Sequence, residues 1–160
     1  MDIKNKKEAA RKKSLGELGE LFALKALVDK GYKVSNVNDI RMNFTFADLL
    51  AEKDGNKYIV SVKSRNMFQK NNMLNAYYNL GNDVYEKAAL VQKEFDAEPY
   101  WLAVQFDINT YSVYFGSLSG LDGKKQIPLN KCMKGKIGEC LVFEKRHYFD
   151  FDYFINERIR

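Results

Sequence analysis

Between residues 8 and 30 apolar side chains recur three and four positions apart. Leu15, Leu18, Phe22 and Ala26 form one series, and Leu24, Leu27 and Val28 another. This spacing predicts an amphipathic helix, and Gly31 supplies the stop expected just past a last helical turn. Residues 31–37 (GYKVSNV) read as a short strand and 38–44 (NDIRMNF) as a polar loop. Two apolar runs follow, 46–53 and 57–65, around Asp54-Gly55, a pair that accepts the positive φ angles of a two-residue hairpin turn. Residues 66–81 are rich in Asn and predict a loop or a broken helix; Val84, Ala88, Val91 and Phe95 then mark a second helix over 83–95. Beyond Pro99, YWLAVQFDI and YSVYFGSL are strand candidates joined at Asn109-Thr110. The stretch from Gly120 to 138 reads as loop, 139–149 as a last strand and 152–160 as a short terminal helix. Helix, three strands, helix, strands is the order of an α/β domain with a mixed central β-sheet flanked by helices.

Composition fits that picture. A chain of 160 residues, 46% hydrophobic and 29% charged, is large enough for one domain with a real core, spanning 1–160. No apolar run approaches the ~18 residues that cross a bilayer, and the charged start has no secretory apolar segment. A soluble cytoplasmic protein with no membrane partner is expected. Two cysteines and one histidine, His147, cannot close a four-ligand zinc site, so Cys132 and Cys140 are expected as packed thiols. The net charge of +5 is uneven: Lys4, Lys6, Lys7, Arg11, Lys12 and Lys13 face only Asp2 and Glu8 in residues 1–13. Such a basic, mobile arm suits a polyanion, although a frayed solvated terminus has the same composition.

The hairpin carries charges where a core should be. A turn at Asp54-Gly55 pairs position 49 with 60 and sets Asp48 opposite Ser61; a shifted register sets Asp48 opposite Lys63 instead. In either case Asp48, Ser61 and Lys63 share one face by the period-two rule, and Leu49, Ala51, Tyr58, Val60 and Val62 share the other, fit to pack on a helix. Charges at such positions need partners. Glu20 lies four and seven residues before Leu24 and Leu27, on their core-facing stripe, with Glu17 one turn earlier. A buried glutamate is costly unless a cation receives it. Either a divalent metal shared with Asp48 or an ion pair with Lys63 would do so, and oxygen-only ligands suit Mg²⁺ or Mn²⁺.

GELGELFALKALVDKGYKV followed by ADLLAEKDGNKYIVSVKSR resembles the PD-(D/E)XK nuclease superfamily, closest in layout to its small Holliday-junction-resolvase-like members. The resemblance covers residues 14–66, more loosely to 117, and implies a restriction-endonuclease-like α-β-β-β-α-β core. Carried over, the helix glutamate falls on Glu20, the first acidic residue on Asp48 and the lysine on Lys63. The second acidic position falls on Ser61, a departure from the usual pattern. The resemblance implies Mg²⁺ or Mn²⁺ held by Asp48, Glu20 and the Val62 carbonyl, with Lys63 orienting a water and stabilising the phosphate. Ser61 would hydrogen-bond a metal-bound water. Arg65 is a phosphate-clamp candidate, Arg11, Lys12 and Lys13 are DNA contacts, and Glu17 is a secondary candidate.

Three readings follow. The chain is a metal-dependent DNA endonuclease acting on double-stranded or branched DNA, with a homodimer expected if both strands are cut. Alternatively it is a catalytically inactive relative that binds nucleic acid or a protein, which Ser61 favours. The third reading is a globular protein whose Asp48 and Lys63 form an edge ion pair.

Overall fold

The computed structural model describes residues 2–37, 46–65, 77–106 and 111–141. The first helix, α1, spans Ile3–Asp29. It begins five residues earlier than the apolar periodicity indicates. Asp2 caps it through the Lys4 N–H, and Lys, Glu, Ala and Arg, all strong helix formers, fill its first turns. The basic arm is therefore helical over its described residues, not an irregular extension, because propensity and a cap suffice where no apolar contact exists. Leu15, Leu18, Ala23, Ala26 and Leu27 are buried, whereas Val28 is exposed, at the outer margin of the stripe.

Six strands form the main sheet in the order β1-β2-β3-β5-β6-β8: Lys33–Asn36 (β1), Leu49–Lys53 (β2), Asn56–Arg65 (β3), Glu98–Phe106 (β5), Tyr111–Ser117 (β6) and Glu139–Leu141 (β8). The β3–β5 pair is parallel and every other pair antiparallel, so the sheet is mixed. Asp54 (φ 53°) and Gly55 (φ 80°) form the tight turn between β2 and β3, and Leu49 pairs with Val60, the register the turn demands. Leu49, Ala51, Val60, Leu102 and Val104 pack on α1 on one face. The other face, with Ile59, Trp101, Ala103 and Tyr114, is covered by α2 (Val84–Phe95) and a separate ribbon.

That ribbon pairs β4 (Tyr77–Asn79) with β7 (Gln126–Pro128), and α3 (Leu129–Met133) follows it. These elements lie in stretches that read as loop. Each is three to five residues long, too short to display a period. Cys132 is a buried free thiol, as expected. The 38–44 loop, most of 66–81, Asn109-Thr110, the last strand beyond Leu141, His147 and the terminal helix lie outside the described residues. No described helix is long and apolar enough to cross a membrane.

Candidate active site

The site forms where α1 crosses the C-terminal end of β3. Gly19 lies directly on Ser64: a Cβ at Gly19 would stand 1.6 Å from Ser64 Oγ and 2.7 Å from Ser64 Cβ. Only a residue without a side chain permits that approach. It brings the neighbouring Glu20 to the end of the sheet.

Asp48 arrives from the other side. Ladder pairing of β2 with β3 ends at Leu49, and the Asp48 N–H then donates to the Val60 carbonyl at 2.9 Å. Its Oδ2 accepts the Val62 N–H at 2.7 Å, so the carboxylate is held against the β3 backbone. Along an extended strand, a residue's N–H and C=O project to the same edge. The Val62 carbonyl thus faces Asp48, past the end of β2.

The carboxyl groups of Glu20 and Asp48 lie close enough to shift each other's titration. Burial pushes Glu20 up to about 7, and the Asp48 charge, their shared hydrogen bond and the Glu17 charge push the same way. Burial also raises Asp48, but the Val62 N–H, the bond to Glu20 and the Lys63 ammonium oppose it. Two carboxylates in contact do not both ionise readily. Asp48 is the better-compensated carboxylate, through the Val62 N–H and the Lys63 ammonium, and Glu20 the more readily protonated.

Arg11, Lys12, Glu20, Lys63 and Arg65 line a cleft of about 480 Å³ completed by Glu8, Leu15, Gly16, Val62 and Ser64. The basic stretch of α1 and the end of β3 thus form facing walls. Arg65 Nη1 donates to the Ser64 carbonyl at 2.9 Å, and its guanidinium lies 5.6 Å from the centre of the Tyr78 ring. Tyr78 is fully buried, its hydroxyl has no partner among the described residues, and burial raises its pKa. Sequence reasoning missed Tyr78, Gly19 and Ser64. The Gly-Glu pair at 19–20 was the one available signal, since glycine inside a helix marks a close backbone approach.

Glu20, Asp48 and Lys63 come together, with Val62 and Arg65 beside them. Ser61 does not reach the cleft wall: it is 4% exposed and pairs in register with Trp101. Glu17 is exposed and acts on Glu20 only through its charge; Lys13 is exposed and off the cleft. Among the described residues no three His, Cys, Asp or Glu side chains gather at one point. A divalent cation would therefore have two carboxylates and a carbonyl here, an all-oxygen set that suits Mg²⁺, which keeps several waters. The pair fits such an ion: two half-buried, mutually repelling acids occupy the place where a cation would relieve their repulsion.

No family model and no curated protein matches the chain. Among solved structures, it is similar to a Holliday junction resolvase from Archaeoglobus fulgidus, an archaeal hyperthermophile. The TM-score is 0.50 at 18% identity, covering 72% of this chain and 84% of that one. At that identity the likeness concerns the fold, a central mixed sheet flanked by helices of the restriction-endonuclease-like kind.

Proposed function

We propose that the chain is a metal-dependent endonuclease that hydrolyses phosphodiester bonds in DNA. The observation that carries this reading is the Glu20–Asp48 carboxyl contact, made by residues 28 positions apart on different elements and walled by Arg11, Lys12, Lys63 and Arg65. Asp48, Glu20 and the Val62 carbonyl would hold Mg²⁺ or Mn²⁺. The bound ion would polarise a phosphoryl oxygen and acidify a water. Lys63 holds its ammonium beside Asp48, where it orients the attacking water and stabilises charge developing on the phosphate. Arg65, held over the Tyr78 ring, presents its remaining N–H groups to a phosphate oxygen. Arg11 and Lys12 draw the backbone into the cleft. Glu20 must give up its proton as the cation enters, so metal binding and activity strengthen as pH rises toward about 7, at lower pH the more metal is supplied.

A second reading, a non-catalytic DNA-binding relative of the nucleases, is favoured by Ser61, neutral and buried where the resemblance places a second acid. One experiment separates the two. Supercoiled plasmid, linear duplex, single-stranded and four-way-junction DNA are incubated with protein plus Mg²⁺, Mn²⁺ or EDTA. Cleavage of any form that needs the metal and is lost in Asp48→Asn, while that variant still binds DNA, supports the enzyme. DNA binding without cleavage under every condition leaves the binding protein.

A further inference from the structure

Four lysines within residues 124–136 gather beside the β4–β7 ribbon. Lys124 and Lys125 precede β7, Lys131 lies on α3 and Lys136 follows it. Their backbones are fixed by tertiary hydrogen bonds. The Tyr85 hydroxyl donates to the Lys124 carbonyl at 2.6 Å, and the Leu80 and Lys136 N–H groups donate at 2.9 Å to the Lys125 and Lys131 carbonyls. Lys124, Lys125 and Lys131 share a groove of about 600 Å³ with Asn79, Asn82 and Gln126.

The groove is short of negative charge. No carboxylate among the described residues is ion-paired with Lys124, Lys131 or Lys136. Asp83, whose charge senses Lys125, is itself paired with Lys87 at 3.1 Å. The neighbouring Lys124 and Lys136 ammonium charges push the Lys131 pKa down. Ammonium groups converge this closely at a cost unless an anion lies between them. Three neighbouring carboxamides offer N–H donors alongside, the combination that grips phosphate oxygens without reading bases.

The ribbon also links this groove to the cleft. Tyr78 in β4 carries the Arg65 guanidinium, and the next residue, Asn79, lines the lysine groove. Tyr78 and Asn79 are consecutive on β4, so their Cα atoms lie ~3.8 Å apart and their side chains project to opposite faces of the ribbon. Phosphates follow one another every ~3.4 Å of axis along one DNA strand, so a duplex held at Arg65 carries further phosphates past the ribbon.

We propose that Lys124 and Lys131, with Asn79, Asn82 and Gln126, form a second phosphate-backbone contact for the DNA held in the cleft. This rests on the nuclease reading, and adds that the β4–β7 ribbon is a DNA-binding element. The test uses the full chain with duplex DNA of about 30 base pairs in EDTA, measuring affinity by fluorescence anisotropy between roughly 50 and 300 mM NaCl. Losing two phosphate contacts should reduce the slope of log K against log salt by ~1.8 in Lys124→Gln/Lys131→Gln. Lys124→Arg/Lys131→Arg should keep the wild-type slope. Lys33→Gln/Lys57→Gln, exposed lysines outside both sites, should also keep it. An unchanged slope in the Lys124/Lys131 pair, or an equal fall in the Lys33/Lys57 pair, overturns the proposal while leaving the nuclease reading intact if wild type still cleaves. A wild-type chain that binds no DNA ends both.

Discussion

The contact between Gly19 and Ser64 makes the site's geometry testable without touching a charged group. In Gly19→Ala the new Cβ would meet Ser64 Oγ at 1.6 Å and Ser64 Cβ at 2.7 Å. Rotating Ser64 removes the first clash and not the second. Reaching ordinary contact at 3.4 Å from 2.7 Å requires α1 to withdraw by about 0.7 Å at this point. Overpacking of this kind costs ~1–3 kcal/mol. Alanine in place of glycine in a helix interior returns ~1 kcal/mol. Net stability should therefore fall by only ~0–2 kcal/mol, and the chain should fold.

The site should suffer more than the fold, because Glu20 is the next residue. A withdrawal of that size stretches its hydrogen bond to Asp48, and a misplacement of ~1 Å near reacting atoms costs ~100-fold in rate. Carboxyl carbon NMR of Gly19→Ala should show Glu20 titrating lower than in wild type, where burial and the Asp48 carboxyl push it up to about 7. Ser64→Gly in the same chain removes both clashing atoms and should restore the titration and the cleavage rate. If Gly19→Ala leaves Glu20 titrating near 7 and cleavage undiminished, the close approach does not position Glu20, and the reasoning fails.

Two further outcomes follow from the same chemistry. Glu20 binds its proton more tightly folded than unfolded, so its stabilisation is complete below pH 4.5 and is lost as pH rises through about 7. Discounted for solvent screening at this half-buried group, the loss is ~1–2 kcal/mol. Thermal melts should show wild type declining over that window, Glu20→Gln without the decline, and Mg²⁺ restoring wild type at pH 8; parallel pH profiles for the two proteins would contradict the assignment. Tyr78→Phe removes a buried hydroxyl with no partner while keeping the ring under Arg65, so the melting temperature should rise, by ~1 kcal/mol in stability; a clear drop would mean that the hydroxyl has a partner.

The sequence by itself determined whatever depends on local periodicity and turn chemistry. Asp54-Gly55 dictated the turn, and the turn dictated the pairing of Leu49 with Val60 and the division of β3 into two faces. Leu15, Leu18 and Ala26 fixed which side of α1 packs on the sheet, and hence that Glu20 would approach it. Only the tertiary structure decided the rest. Asp48 leaves the ladder and bonds the Val62 N–H, an outcome of where β2 ends rather than of strand alternation. Ser61, on the expected face of β3, is buried instead of open to the cleft, because its register neighbour is Trp101. Tyr78 belongs to a strand too short for any period, whereas Lys124, Lys125, Lys131 and Lys136 are legible in the sequence as a basic stretch that only the fold gathers beside the ribbon. Periodicity records which face of an element is buried; it carries no record of which distant residue stands opposite, and that is what makes a site.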